Sequence, residues 1–287
     1  MATELAAGIA TREVAETAPR RPARMPLRRA WSWLWPKLAA VALVLAGWQA
    51  TVWSGWQPDY ILPGPGPVFQ RLAQDLGNSN FDLGIAITLR RALTGYAIAV
   101  GIGSVTGILI ARIAVLRRAI GSAILGLQSM PSIVWFPVAL LLFGINEKAI
   151  FFVVILGAAP SIAGGLLSGV DHVQPLLVRV GRVMGARGMS LYRHVILPAA
   201  LPSFVGGLKQ GWAFAWRSLM AGEIILGIAS RQIGIGQQIQ IARDFADMEQ
   251  LLAIIVVIFV IGVVIDSLFT SLDRVIRRRW GLLGADA

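Results

Sequence analysis

"LLAIIVVIFVIGVVI" (residues 251–265) carries no charge until Asp266. A helix needs about 20 largely apolar residues to cross a bilayer, whereas a barrel strand needs about ten that alternate apolar with polar. This run is apolar on every side and too long for a barrel strand, so it reads as a membrane-spanning helix. The rest of the chain agrees. Of 287 residues, 56% are hydrophobic and 14% charged, which no ordinary soluble domain would show. Further spans fall at roughly 37–53, 87–111, 119–143, 148–169 and 199–228, giving about six and an all-α membrane protein.

Outside the spans the chain divides by composition. Residues 1–36 hold six arginines, three glutamates, Pro19, Pro22 and Pro26 without a periodic apolar face, and read as a disordered basic tail. The first span covers 37–54. A connector at 55–86 is rich in Pro and Gly, then briefly amphipathic at about 67–75, as for a short interfacial helix. The core of five helices occupies 87–280, a polar loop at 171–198 interrupts it, and 281–287 form a C-terminal tail.

The formal net charge of +11 raises nucleic acid as a partner, but the basic residues lie between apolar runs and not on one soluble module. They set orientation instead. Eighteen of the 26 Lys and Arg fall on the side of the N-terminus; Arg71, Arg90, Arg91, Lys148, Arg231 and Arg243 fall opposite, and Lys209 and Arg217 lie within a span. The positive-inside rule then puts both termini, and the 171–198 loop, in the cytoplasm. There is no cysteine, and His172 and His194 are the sole histidines, so thiol chemistry and a histidine-rich metal site are excluded. Within the spans, Gly103 and Gly107, and the small residues around Pro160, suit close helix packing. Pro131, Pro137 and Pro160 are expected to kink their helices.

The loop contains "GRVMGARGMSLYRHVILPAALP" (residues 181–202). A helix over about 175–185 would put Leu176, Val180 and Val183 on one side, flanked by Arg179 and Arg182. Gly185 and Gly188 would let the chain turn, since glycine accepts positive φ freely. The amphipathic "MSLYRHVIL" then leads to Pro198. By geometry alone this is either a projecting knob or a plain surface loop.

The spacing resembles the cytoplasmic loop signature of permease subunits of binding-protein-dependent ATP-binding-cassette (ABC) importers: Glu-Ala-Ala, three residues, Gly, nine residues, an aliphatic, any residue, Leu-Pro. Arg179-Val180-Gly181 take the first three places, Gly185 the glycine, Val195 the aliphatic place, and Leu197-Pro198 close it. The first triplet departs from the signature, as in the sulfonate, taurine and nitrate branch. "ILPGPGPVF", "SMPSIVWFPVALLLFGI" (residues 129–145) and "AWRSLMAGEIILG" followed by "GIGQQI" are similar to other segments of that branch.

The resemblance implies a type I ABC importer permease fold with a cytoplasmic coupling helix, in a bacterial inner membrane. It further implies a second permease subunit, a cytoplasmic ATPase dimer using ATP and Mg, and an extracytoplasmic solute-binding protein. Gly181, Arg182, Gly185, Ala186, Gly188, Leu197 and Pro198 are the implied coupling residues. The chain has no Gly-x-x-x-x-Gly-Lys-[Ser/Thr] loop, so hydrolysis would belong to the partner and this chain would bind no cofactor. The implied cargo is a small organosulfonate or similar anion, with a thiamine-precursor-like heterocycle left open.

The fifth span holds Lys209, Arg217 and Glu223. At about 100° per residue these share an arc of about 120°, and Lys209 and Glu223 stand about 21 Å apart along the axis. Lys209 is expected to snorkel. The planar fork of Arg217 suits sulfonate oxygens, or else pairs with Glu223, itself either a contact on the path or an anchor for the following loop. Trp212 and Trp216, four apart, either line that path or pack in the core. Two other classes remain to be weighed. A self-contained secondary carrier or channel would show an internal repeat and midplane carboxylates, and a membrane enzyme a catalytic cluster; the sequence offers neither.

Overall fold

The structure is a computed structural model, and it describes residues 27–227 and 232–279. Residues 1–26, Arg231 and the 281–287 tail, for which the sequence raises expectations, lie outside the described residues. Two compact units divide at Gln57/Pro58.

The first unit contains α1 (Leu27–Trp53), a helix that includes Pro36. The tail expected to run unstructured to residue 36 is therefore helical from Leu27 onward. Apolar periodicity had marked only the bilayer-length part, because "LRRAWSWLWP" mixes arginine with tryptophan.

The second unit holds α2 (Pro65–Asp75), α3 (Ser79–Arg112), α4 (Ala114–Ser129), α5 (Phe136–Phe143), α6 (Glu147–Asp171), α7 (Pro175–Val183), α8 (Gly188–Leu191), α9 (Leu197–Leu226), α10 (Ile235–Asp244) and α11 (Met248–Arg279). Three of these, α3, α6 and α11, are each long and apolar enough to cross a membrane alone. The helix α9 has the length but carries Lys209, Arg217 and Glu223.

The span expected as one piece over 119–143 is broken. Helix α4 stops at Ser129, a 3-10 turn covers Ser132–Trp135, and α5 leaves at 102°. Pro131 has no N–H to continue the ladder, and it drives the preceding Met130 into extended backbone (φ −79°, ψ 135°). Pro137 falls in the first turn of α5, where a missing N–H leaves no bond unmade. It starts a helix here and kinks none. Counted with this broken pair as one span, four among the described residues are long and apolar enough.

Helix α6 is the hub, with α3 and α9 packed along it. Small residues set the distances. A Cβ on Gly103 would stand 2.7 Å from the Ala159 carbonyl oxygen, and one on Gly165 2.5 Å from the Gly207 Cα. Backbones approach this closely because lipid tails solvate leucine as well as a neighbouring helix would, so tight van der Waals contact has to supply the association. The core between them includes Ile150, Val153 and Ile162 of α6, Trp212 and Leu219 of α9, and Phe136.

Candidate functional site

The loop between α6 and α9 is built around two chain reversals. Helix α7 begins at Pro175 and ends at a capped turn. Gly185 adopts φ +88°; its N–H donates to the Arg182 carbonyl at 3.0 Å, and the Ala186 N–H donates to the Gly181 carbonyl at 2.9 Å. This pair of bonds is a Schellman cap, and it requires left-handed backbone at Gly185, which a Cβ disfavours. Gly188, at φ +52°, opens α8. The return arm then widens into a π-turn at Tyr192–Ile196, where the Leu197 N–H donates five residues back to the Tyr192 carbonyl. Pro198 follows in the first turn of α9; in an ordinary helix its ring would strike the His194 carbonyl, and the wider turn moves that carbonyl aside.

The two arms meet at Gly181, the one buried residue of α7. A Cβ there would lie 2.9 Å from Val195 Cγ2 and 3.0 Å from Leu191 Cδ1. Tyr192 ties the loop to α3: its hydroxyl donates to the Ala111 carbonyl at 3.3 Å, and the Arg112 guanidinium lies 5.5 Å from its ring centre. His172 Nδ1 donates to the Ser168 carbonyl, and His194 Nδ1 to that of Ser190. On the outside, Leu176, Val180, Val183 and Met184 are exposed beside Arg179, Arg182 and Arg187. An apolar face flanked by arginines and held by the Schellman cap and the contact at Gly181 is a surface suited to a protein partner.

The other candidates lie on α9, and the structure separates them. Trp212 and Trp216, for which a path-lining and a core role both stood open, pack in the core: their rings stack at 6.2 Å, and Trp212 meets Tyr96 edge-on at 5.1 Å. Lys209 bonds Asp266 and Thr270 of α11 at 3.0 and 2.9 Å. Arg217 is exposed, its guanidinium 5.8 Å from the Phe214 ring centre. It does not pair with Glu223.

Glu223 pairs with Arg91, a residue sequence reasoning had counted among the rim charges. Arg91 Nη1 donates to Glu223 Oε1 at 2.8 Å, and Arg91 Nη2 donates to Glu147 Oε1 at 2.8 Å and to the Gln232 carbonyl at 2.8 Å. Thr88 Oγ1 and the Gly236 N–H donate to Glu223 Oε2. The carboxylate thus sits at the N-terminus of α10, where free N–H groups and the helix dipole favour negative charge. The available signal was register: Thr88, Arg91, Gly95 and Ala99 share one buried stripe of α3. This cluster is an anchor and offers no open site. Among the described residues no group of side chains is arranged to hold a metal ion.

A family model described as binding-protein-dependent transport system inner membrane component matches residues 99–278. An ABC transporter permease protein of Brucella melitensis is 28% identical over 237 residues, covering 83% of this chain and 94% of its own. The aliphatic sulfonates transport permease protein SsuC of Escherichia coli is 29% identical over 231 residues, covering 80% of this chain and 86% of its own. Among solved structures, the inward-facing MetNI methionine ABC transporter shares the fold at TM-score 0.57 and 22% identity, covering 67% of this chain and 94% of its own.

Proposed function

The chain belongs to the family of binding-protein-dependent transport system inner membrane components, and on that premise we propose how its parts divide the work of import. As an ABC importer permease, it forms the membrane path while energy enters from outside the chain. The observation that carries the coupling proposal is the capped loop, with its exposed apolar face on α7. This loop seats in a cytoplasmic ATPase. Closure of an ATPase dimer around ATP and Mg moves α7, and the contact at Gly181 passes that movement to the return arm and so to α9. A second copy of the chain completes the pore at residues 87–280. An external solute-binding protein delivers the ligand, and both termini lie in the cytoplasm of a cell whose inner membrane holds the complex.

The cargo we propose is a small organosulfonate such as taurine or an alkanesulfonate. The SsuC relative's name supports it, and so does the exposed Arg217 of α9, whose planar donor fork matches sulfonate oxygens. Purification in mild detergent tests the assignment directly. The chain should retain an ATPase in stoichiometric amount, and proteoliposomes of the complex with a binding protein should take up sulfonate only when ATP is supplied. Uptake by the chain alone in liposomes would mark it as a self-contained carrier and overturn this reading.

A further inference from the structure

Helices α4, α6 and α9 enclose a groove of 390 Å³ lined by Gln128, Ser161, Ser168, Ser203, Gly206 and Gln210 among others. Its volume lies in the range of about 300–1,000 Å³ that holds small molecules. The lining contains several hydrogen-bonding side chains and no ionisable one. Gly206 faces open space, so the groove is not sealed from above by its own helix.

One group in it is unspent. Ser161 is 1% exposed, yet its hydroxyl has no hydrogen-bond partner among the described residues. A polar group buried in this way within a membrane is costly unless something meets it. The groove also lies in line with a charge. Gln210 and Arg217 are seven residues apart on α9, which puts them within about 20° on one face and about 10 Å apart along the axis; both are exposed.

We propose that this groove is a transit site for the sulfonate head of the transported solute, a reading that rests on the sulfonate assignment above. Arg217 draws the anion on to α9, and the hydroxyls of Ser161, Ser168 and Ser203, with the amides of Gln128 and Gln210, then solvate its oxygens. The site lacks a cation of its own. A sulfonate spreads one charge over three oxygens and is met by neutral donors, and a neutral site holds it weakly enough to release it, as a translocation path requires.

The absence of native cysteine makes the test clean, because one introduced thiol is the sole labelling point on the chain. Ser203→Cys or Gln210→Cys is placed in the assembled permease–ATPase complex in proteoliposomes and treated with 2-sulfonatoethyl methanethiosulfonate, which carries an ethanesulfonate group. Both thiols should react, free ethanesulfonate should slow them several-fold, and Asp244→Cys on α10 should be unaffected. With Gln210→Cys as reporter, Ser161→Ala should raise the ethanesulfonate concentration for half-protection about fivefold, the value of one hydrogen bond. Thiols that never react, or react at the same rate under saturating ethanesulfonate, overturn the groove as a site. ATP-driven ethanesulfonate uptake by vesicles of the unsubstituted complex separates the two claims. Transport without protection sinks the groove alone, protection without transport sinks the cargo assignment and with it the transit role while leaving a sulfonate-binding groove, and failure of both sinks both.

Discussion

Arg91 Nη1 lies 2.8 Å from Glu223 Oε1, and neither side chain has any exposure to solvent. Through Glu147, Thr88 and the Gly236 N–H this pair joins α3, α6, α9 and the start of α10. Two buried charges are expensive to desolvate, and here nearly every polar atom is met. Removing one partner strands the other. Arg91→Leu should therefore lose about 3–5 kcal/mol, read as a lower melting temperature of the detergent-solubilised protein. The pair Arg91→Leu with Glu223→Leu should lose less than the sum of the two single changes. A melting temperature unchanged by Arg91→Leu would show that the cluster does not hold the helices.

Gly185 sits at φ +88° with open space around the position of a Cβ. Size is therefore no obstacle there, and conformation is. Gly185→Ala should cost about 1 kcal/mol locally and reduce coupling. Gly185→Asp should abolish ATP-driven uptake and the stimulation of ATPase activity while leaving the amount of protein in the membrane unchanged. Full transport by Gly185→Asp would take the loop out of the mechanism.

The helices were legible because hydropathy reports what bilayers demand, and the contact of Gly103 and Gly107 with α6 was legible because small residues four apart have few other uses in lipid. Pro131 was visible as a breaker, but nothing nearby told a kink from a turn of 102°. Arg91 was misfiled for a different reason. Its partners lie 56 and 132 residues away, and one sequence does not report pairing over such distances. Trp212 and Trp216 share a helix face whether they line a path or fill a core, so periodicity left that choice to packing. Helix α10 went unnoticed because "IGQQIQIARD" has glutamines where a soluble amphipathic helix would show charges.

Gly165 and Gly207 set the crossing of α6 and α9, where a Cβ on either would press on the other's backbone at 2.5 or 2.8 Å. No side chain can move aside to relieve a backbone clash. Gly165→Ala should separate the helices and cost at least about 1–3 kcal/mol, seen as a smaller folded fraction on size exclusion. Gly101→Ala has nothing within 4 Å and should be neutral or slightly stabilising, since alanine is the better helix former. Equal behaviour of the two variants would mean that the crossing is not held by these glycines.

Val183 and Met184 are 88% and 82% exposed at the tip of α7, although apolar groups there gain nothing from water. Their removal should leave the fold nearly alone, because the bonds that cap α7 run between backbone groups of Gly181, Arg182, Gly185 and Ala186 and use neither side chain. What should change is the partner. Burying two such side chains in an ATPase groove contributes about 1.5–3 kcal/mol each, and a carboxylate in the same place would have to be desolvated. Val183→Glu with Met184→Glu should thus cut retention of the ATPase during purification by at least about tenfold, with the melting temperature unchanged. Retention equal to that of the parent would place the docking face elsewhere on the chain, and the capped loop would then owe its exposed apolar residues to something other than coupling.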